Sequence, residues 1–155
     1  MSERVDRRRF CTLALALASA ASVSGVRAQQ QPYDGTWSQD PVWDVLRTAR
    51  LTTDARGMVH ADVPPKVVAL AGKPMTVSGF ILPVEATRQF THFILTRYSP
   101  QCPFCPSGAP NEVIEVVSKT PMQAGNFMIF LTGRFSVQNK VEEGLFFRLD
   151  GAAIA

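Results

Sequence analysis

Cysteine and histidine are scarce in this 155-residue chain, with three copies of one and two of the other. So few thiols cannot form a disulfide framework, and a single C-x-x-C cannot by itself supply the four ligands of closed structural zinc. No Gly-rich phosphate loop follows a strand-like run, and no nucleophile motif gathers Ser, His and Asp. No pair of carboxylates stands apart from ordinary surface charge either; Glu142-Glu143 reads as a solvated turn. The pattern is not that of a conventional enzyme. Long hydrophobic runs are missing too: the apolar stretch at about residues 11–23 is too short to span a bilayer with its flanks, and no later run is longer.

What the N-terminus does contain is an export pattern. Asp6-Arg7-Arg8-Arg9-Phe10 fits the twin-arginine signal, with Arg7 and Arg8 as the pair and Phe10 two places on, and Val26-Arg27-Ala28 offers a small-residue end. Residues 1–28 are therefore expected to be a signal peptide and the mature protein to be periplasmic, carried out already folded, so that a metal could be loaded in the cytosol. Five of the 16 basic residues (Arg4, Arg7, Arg8, Arg9 and Arg27) and two of the 13 acidic ones (Glu3 and Asp6) lie in that segment. Eleven of each sign remain, so the mature chain is formally neutral and its charge gives no footprint for nucleic acid. Cys11 leaves with the signal, and Cys102 and Cys105 are then the only thiols.

The remaining chain suits one domain over residues 40–155 after a flexible, Gln-rich lead-in at 29–39. Asp40-Pro41 provides an N-cap and a first-turn proline, and Val42, Val45 and Leu46 share a helical face, which predicts a short helix over 41–49. Trp37 and Trp43 read as packing residues. Residues 51–65 carry no clear period, and His60 stands alone there as a surface residue. From Lys66 the pattern reads as β, with Val67, Val68 and Leu70 before a turn at Gly72-Lys73-Pro74. Strands are then expected at 75–83, at 90–98 with His92 and Ile94 on one face, and at 112–118, where Pro121 and Gly125 end the run. Two more follow, one from 127 past Gly133 to 137 and one at 144–149. Five short strands behind one helix predict a mainly β fold, a small five-stranded OB-like barrel or barrel-like sandwich.

Between the second and third of these strands lies Gln101-Cys102-Pro103-Phe104-Cys105-Pro106-Ser107-Gly108-Ala109-Pro110-Asn111, and any chemistry should sit there. Four readings fit the thiol pair. Two thiolates at this spacing can grip one soft ion, Cu(I) or zinc, with His92, Met122, Met128 or a second copy completing the shell. They can cycle as a dithiol and disulfide, although Pro106, Gly108 and Pro110 deny the leading cysteine the helix N-terminus that thioredoxin-type catalysis uses. They can close into a staple that stiffens the loop, or they can be incidental. Pro103 within the pair and Pro106 just after it stiffen the loop, Phe104 is a tip or a packing residue, and Asn111 is expected to cap the loop through its amide.

The segment Gly79-Phe80-Ile81-Leu82-Pro83-Val84-Glu85, together with the Cys102 loop, resembles the exported bacterial domain-of-unknown-function family 3299. Cys102, Pro106 and Asn111 match that family's Cys, first Pro and Asn, over a resemblance from about Leu70 onward. Phe104, Cys105 and Glu112 stand where the family has His, Val and Gln, so a Cys-x-His pair is replaced by Cys-x-x-Cys. The resemblance implies export and a β fold, and it weakly implies metal handling beside an ABC transport system. On this reading the protein is a periplasmic accessory protein whose loop binds copper or zinc or serves a transport partner. The alternatives are a thiol-disulfide protein and an interaction module with a stapled loop.

Overall fold

The computed structural model describes residues 37–100 and 108–155. The expected signal with Arg7, Arg8 and Phe10 lies outside the described residues, as do Cys102, Pro103, Phe104, Cys105 and Pro106. Among the described residues, no helix is long and apolar enough to cross a membrane.

Helix α1 (Pro41–Leu46) begins as its sequence dictates: the Asp40 carboxylate accepts from the Val42 N–H at 3.0 Å, and proline occupies the first turn. A hairpin follows, β1 (Arg50–Thr53) against β2 (Val59–Asp62), in the stretch where no period was visible. The β pattern expected from Lys66 is corrected. Pro65–Val68 forms a short helix, α2, because Pro65 sits at its first position and the backbone turns away at Gly72, whose φ is +79°.

The barrel is built from β3 (Pro74–Pro83), β4 (Phe90–Thr96), β5 (Val113–Met122), β6 (Ile129–Lys140) and β7 (Leu145–Ile154), with a 3₁₀ turn, η1 (Val141–Glu143), between the last two. Its strands close in the order β3-β4-β5-β7-β6, with β5 and β7 parallel and every other pair antiparallel. The expected five-stranded OB-like barrel is therefore present, closed and without free edges. Strand β5 runs through Pro121 to Met122, beyond the predicted stop, and β6 continues past Gly133 as expected.

Alternate residues of each strand point inward: Val77 and Ile81, Phe93 and Leu95, Ile114 and Val116, Leu131 and Phe135, Phe147 and Leu149. Strand β3 serves both halves of the barrel, pairing with β6 up to Gly79 and with β4 from Phe80 on. Glycine is needed at that corner, since a Cβ on Gly79 would come within 2.7 Å of the Thr96 carbonyl oxygen.

Before that corner the outer edge of β3 is taken up by the N-terminal segment. Had β4 continued in register, Tyr98 would lie opposite Ser78; instead Tyr98 bridges Trp37, and the Ser38 N–H donates to the Arg97 carbonyl at 2.8 Å. Ser78 turns to α1. Its N–H donates to Asp40 at 2.8 Å, its carbonyl accepts from Trp43 Nε1 at 2.8 Å, and its hydroxyl lies 2.6 Å from that of Ser38. Part of the expected lead-in, from Trp37 on, thus belongs to the fold. Trp43, Leu46 and Ala49, together with Val67 of α2, join the barrel's core.

Candidate functional site

The loop that carries the thiols leaves β4 after Thr96 and returns to β5 at Val113, two residues that face each other in the ladder. One further backbone bond, Arg97 N–H to the Glu112 carbonyl at 3.1 Å, extends that pairing into the loop's base. The Glu112 side chain sits there 8% exposed, and its Oε1 accepts from three groups: Arg47 Nε at 3.0 Å, Arg97 NH1 at 3.3 Å and the Tyr98 hydroxyl at 3.3 Å. Arg97 is itself only 12% exposed, also reaches the Ser38 carbonyl, and lies over the Tyr98 ring. One carboxylate therefore ties both ends of the loop to each other and to α1. A charge so placed is stable only while its partners stay.

Asn111 closes the other side of the stem. Its side-chain amide donates to the Arg47 carbonyl at 3.0 Å and the Ala49 carbonyl at 2.8 Å, capping the turn that ends α1, so it tethers the loop to the helix. Pro110 is next to Gly144, the residue that follows η1. The two Asn111 bonds thus hold the loop's returning arm.

His92 stands elsewhere. It pairs with Val117, four residues along β4 from Thr96, which at about 3.3 Å per residue puts its backbone about 13 Å from the loop's base. Its Nε2 lies 2.9 Å from Glu115 Oε1. Glu115, 5% exposed at the side chain on the outer face of β5, also meets Gln138 Nε2 at 2.7 Å, Arg148 NH1 at 3.3 Å and Lys140 Nζ at 3.6 Å. Arg148 in turn binds Asp150 at 2.7 Å. His60 is exposed on the hairpin and bonded to Asp54 at 3.0 Å. Among the described residues no three His, Cys, Asp or Glu side chains stand together as a metal site.

Neither acidic hub was singled out in the sequence, although the signal for Glu115 is a lone charge within an apolar strand. Burial alone would raise the Glu115 carboxyl. The hydrogen bonds from Gln138 and His92 and the charges of Lys140 and Arg148 outweigh it and hold the group below the ordinary carboxylate range. A depressed folded-state value contributes stability that is full above the unfolded carboxylate range, about 4.3, and is lost as pH falls through the lower folded value. The thermal midpoint of the protein should therefore drop more steeply on acidification below about pH 5 than that of Glu115→Gln. Parallel midpoint-against-pH curves would show that the cluster contributes nothing.

A family model described as "Protein of unknown function (DUF3299)" matches residues 24–146, reaching further toward the N-terminus than the resemblance read from the motifs. A crystal structure of a DUF3299 family protein from Pseudomonas aeruginosa PAO1 is similar, with a TM-score of 0.50 and 20% identity over 77% of this chain and 83% of that one. At that identity the likeness is one of fold. No curated protein matches.

Proposed function

The chain belongs to the DUF3299 family, proteins of unknown function, and from that premise we propose that it is an exported periplasmic accessory protein whose Cys102 and Cys105 thiolates bind a soft metal ion, Cu(I) or zinc, for a metal-transport partner. It is a variant of the family, with Cys-Pro-Phe-Cys in the loop. The observation that carries the reading is the anchored base around the thiol pair. Glu112 holds Arg97 and Tyr98 at one end of the loop, and Asn111 fixes the other end to α1.

A C-x-x-C whose flanks are already held loses less freedom on closing around an ion than one in an unanchored chain, which favours binding. Cu(I) accepts two thiolates, whereas zinc needs further donors from a partner, and that suits transfer better than storage. His92, engaged by Glu115 and set back along β4, is not required in the two-thiolate form.

Reduced protein lacking residues 1–28 should bind one Cu(I) per chain in competition with a chromophoric chelator. Cys102→Ser and Cys105→Ser should each abolish that binding at unchanged thermal stability. Binding that survives Cys102→Ser would reject the reading. No metal uptake, with a thiol pair whose potential lies below about −300 mV, would make it a structural bridge instead.

A further inference from the structure

The β1–β2 hairpin forms a sheet separate from the barrel, and among the described residues each of its strands pairs with the other alone. The Asp54 N–H donates to the Met58 carbonyl at 2.9 Å, and the register steps on through Thr52↔His60 and Arg50↔Asp62. Hydrogen-bonded and non-bonded pairs alternate in an antiparallel ladder, so the N–H and C=O of Val59 and Ala61 point away from β1, along the outer edge of β2.

A groove of about 650 Å³ opens between this hairpin and residues 140–143. Three consecutive residues, Met58, Val59 and His60, line it. Side chains of consecutive strand residues face opposite ways, so a groove that touches Val59 and His60, with Gly57 and Met58 of the turn before them and Leu51 of β1, reaches the margin of the strand as well as one face of the hairpin. One wall is apolar, with Leu51, Met58 and Val59 all about half exposed or more. The other is acidic. Lys140 is engaged with Glu115 and Glu143, while Glu142 has no ion pair among the described residues.

We infer that this groove is a docking site for an extended segment of a partner protein, added as a third strand on β2. Backbone groups of Val59 and Ala61 form the ladder, apolar side chains of the segment cover Leu51 and Val59, and its basic side chains face Glu142 and Glu143. The acidic wall selects the sign of the partner, and the β2 edge, which no other described strand pairs, selects its extended form. The inference stands whether or not the thiols hold metal.

The test uses a capped eight-residue peptide of alternating valine and lysine, its glutamate counterpart, and the lysine peptide N-methylated at alternate positions. Amide hydrogen exchange and chemical shifts are read on the reduced protein lacking residues 1–28. The lysine peptide should protect the Val59 and Ala61 amides, and the other two should bind at least about tenfold more weakly, a difference of about 1.4 kcal/mol. Val59→Pro removes an outward N–H without touching the β1 ladder, so it should weaken binding at unchanged thermal midpoint. The double substitution Glu142→Lys and Glu143→Lys should reverse the preference between the two charged peptides. Equal binding of both charge types, full binding of the N-methylated peptide, or protection that maps instead around the exposed Phe127 and Phe130, near the start of β6, would overturn the inference.

Discussion

Replacing Trp43 with alanine is expected to destabilise the barrel by about 3–5 kcal/mol, the range for removing a fully buried tryptophan. The indole is wholly inaccessible and sits where α1 meets β3, so its loss leaves a cavity that the backbone cannot close without pulling the helix off the sheet. A second cost adds to the first. The Ser78 carbonyl has no β4 residue opposite it, and its partner is Trp43 Nε1 at 2.8 Å. Removing that donor leaves a buried acceptor unsatisfied, at about 1–3 kcal/mol. Trp43→Phe separates the two, because it keeps most of the apolar volume and loses only the hydrogen bond. Urea unfolding of both variants measures the difference. An alanine variant within about 1 kcal/mol of the parent would mean that α1 is peripheral and not part of the core.

The barrel was legible because its strands alternate: Val77, Gly79 and Ile81 inward against Ser78, Phe80 and Leu82. The α1 cap was legible because Asp40-Pro41 is a local signal. Residues 50–62 escaped notice because every residue of β1, and all but Ala61 of β2, is exposed. A strand with no buried face writes no alternation into its sequence. The available signal was the turn, where Asp54 accepts from Arg56 and Met58 and Gly57 takes φ +79°. The Val67-Val68 pair read as strand because β-branched residues favour it, yet Pro65 and packing against the core settled the helix. Glu112 and Glu115 were opaque for another reason. Their partners, Arg47 and Arg97 in one case and His92, Lys140 and Arg148 in the other, are distant in sequence, and only barrel closure brings them together.

The first of these carboxylates supplies the other large effect: Glu112→Ala should cost about 3 kcal/mol. The alanine leaves Arg97, 12% exposed, with its positive charge buried and its carboxylate partner gone, which is the expensive way to break an ion pair. The value falls at the low end of the range because Arg47, 46% exposed, can turn to water. Glu112→Gln distinguishes charge from shape. The amide can still accept from Tyr98 and Arg97, so it should cost less than the alanine. The consequence reaches the loop as well. With Glu112 gone, the side-chain link between the two arms of the base is lost, although the Arg97 to Glu112 backbone bond, the Ser38 contacts of Arg97 and the Asn111 amide remain, so the segment between gains freedom that must be lost again on binding. Under the metal proposal, Cu(I) affinity should then fall by about tenfold with both cysteines intact. Chelator competition reads that loss, and urea unfolding of the metal-free protein reads the stability. If stability falls and affinity does not, the stem supports the fold alone and the thiol pair does not depend on its anchoring.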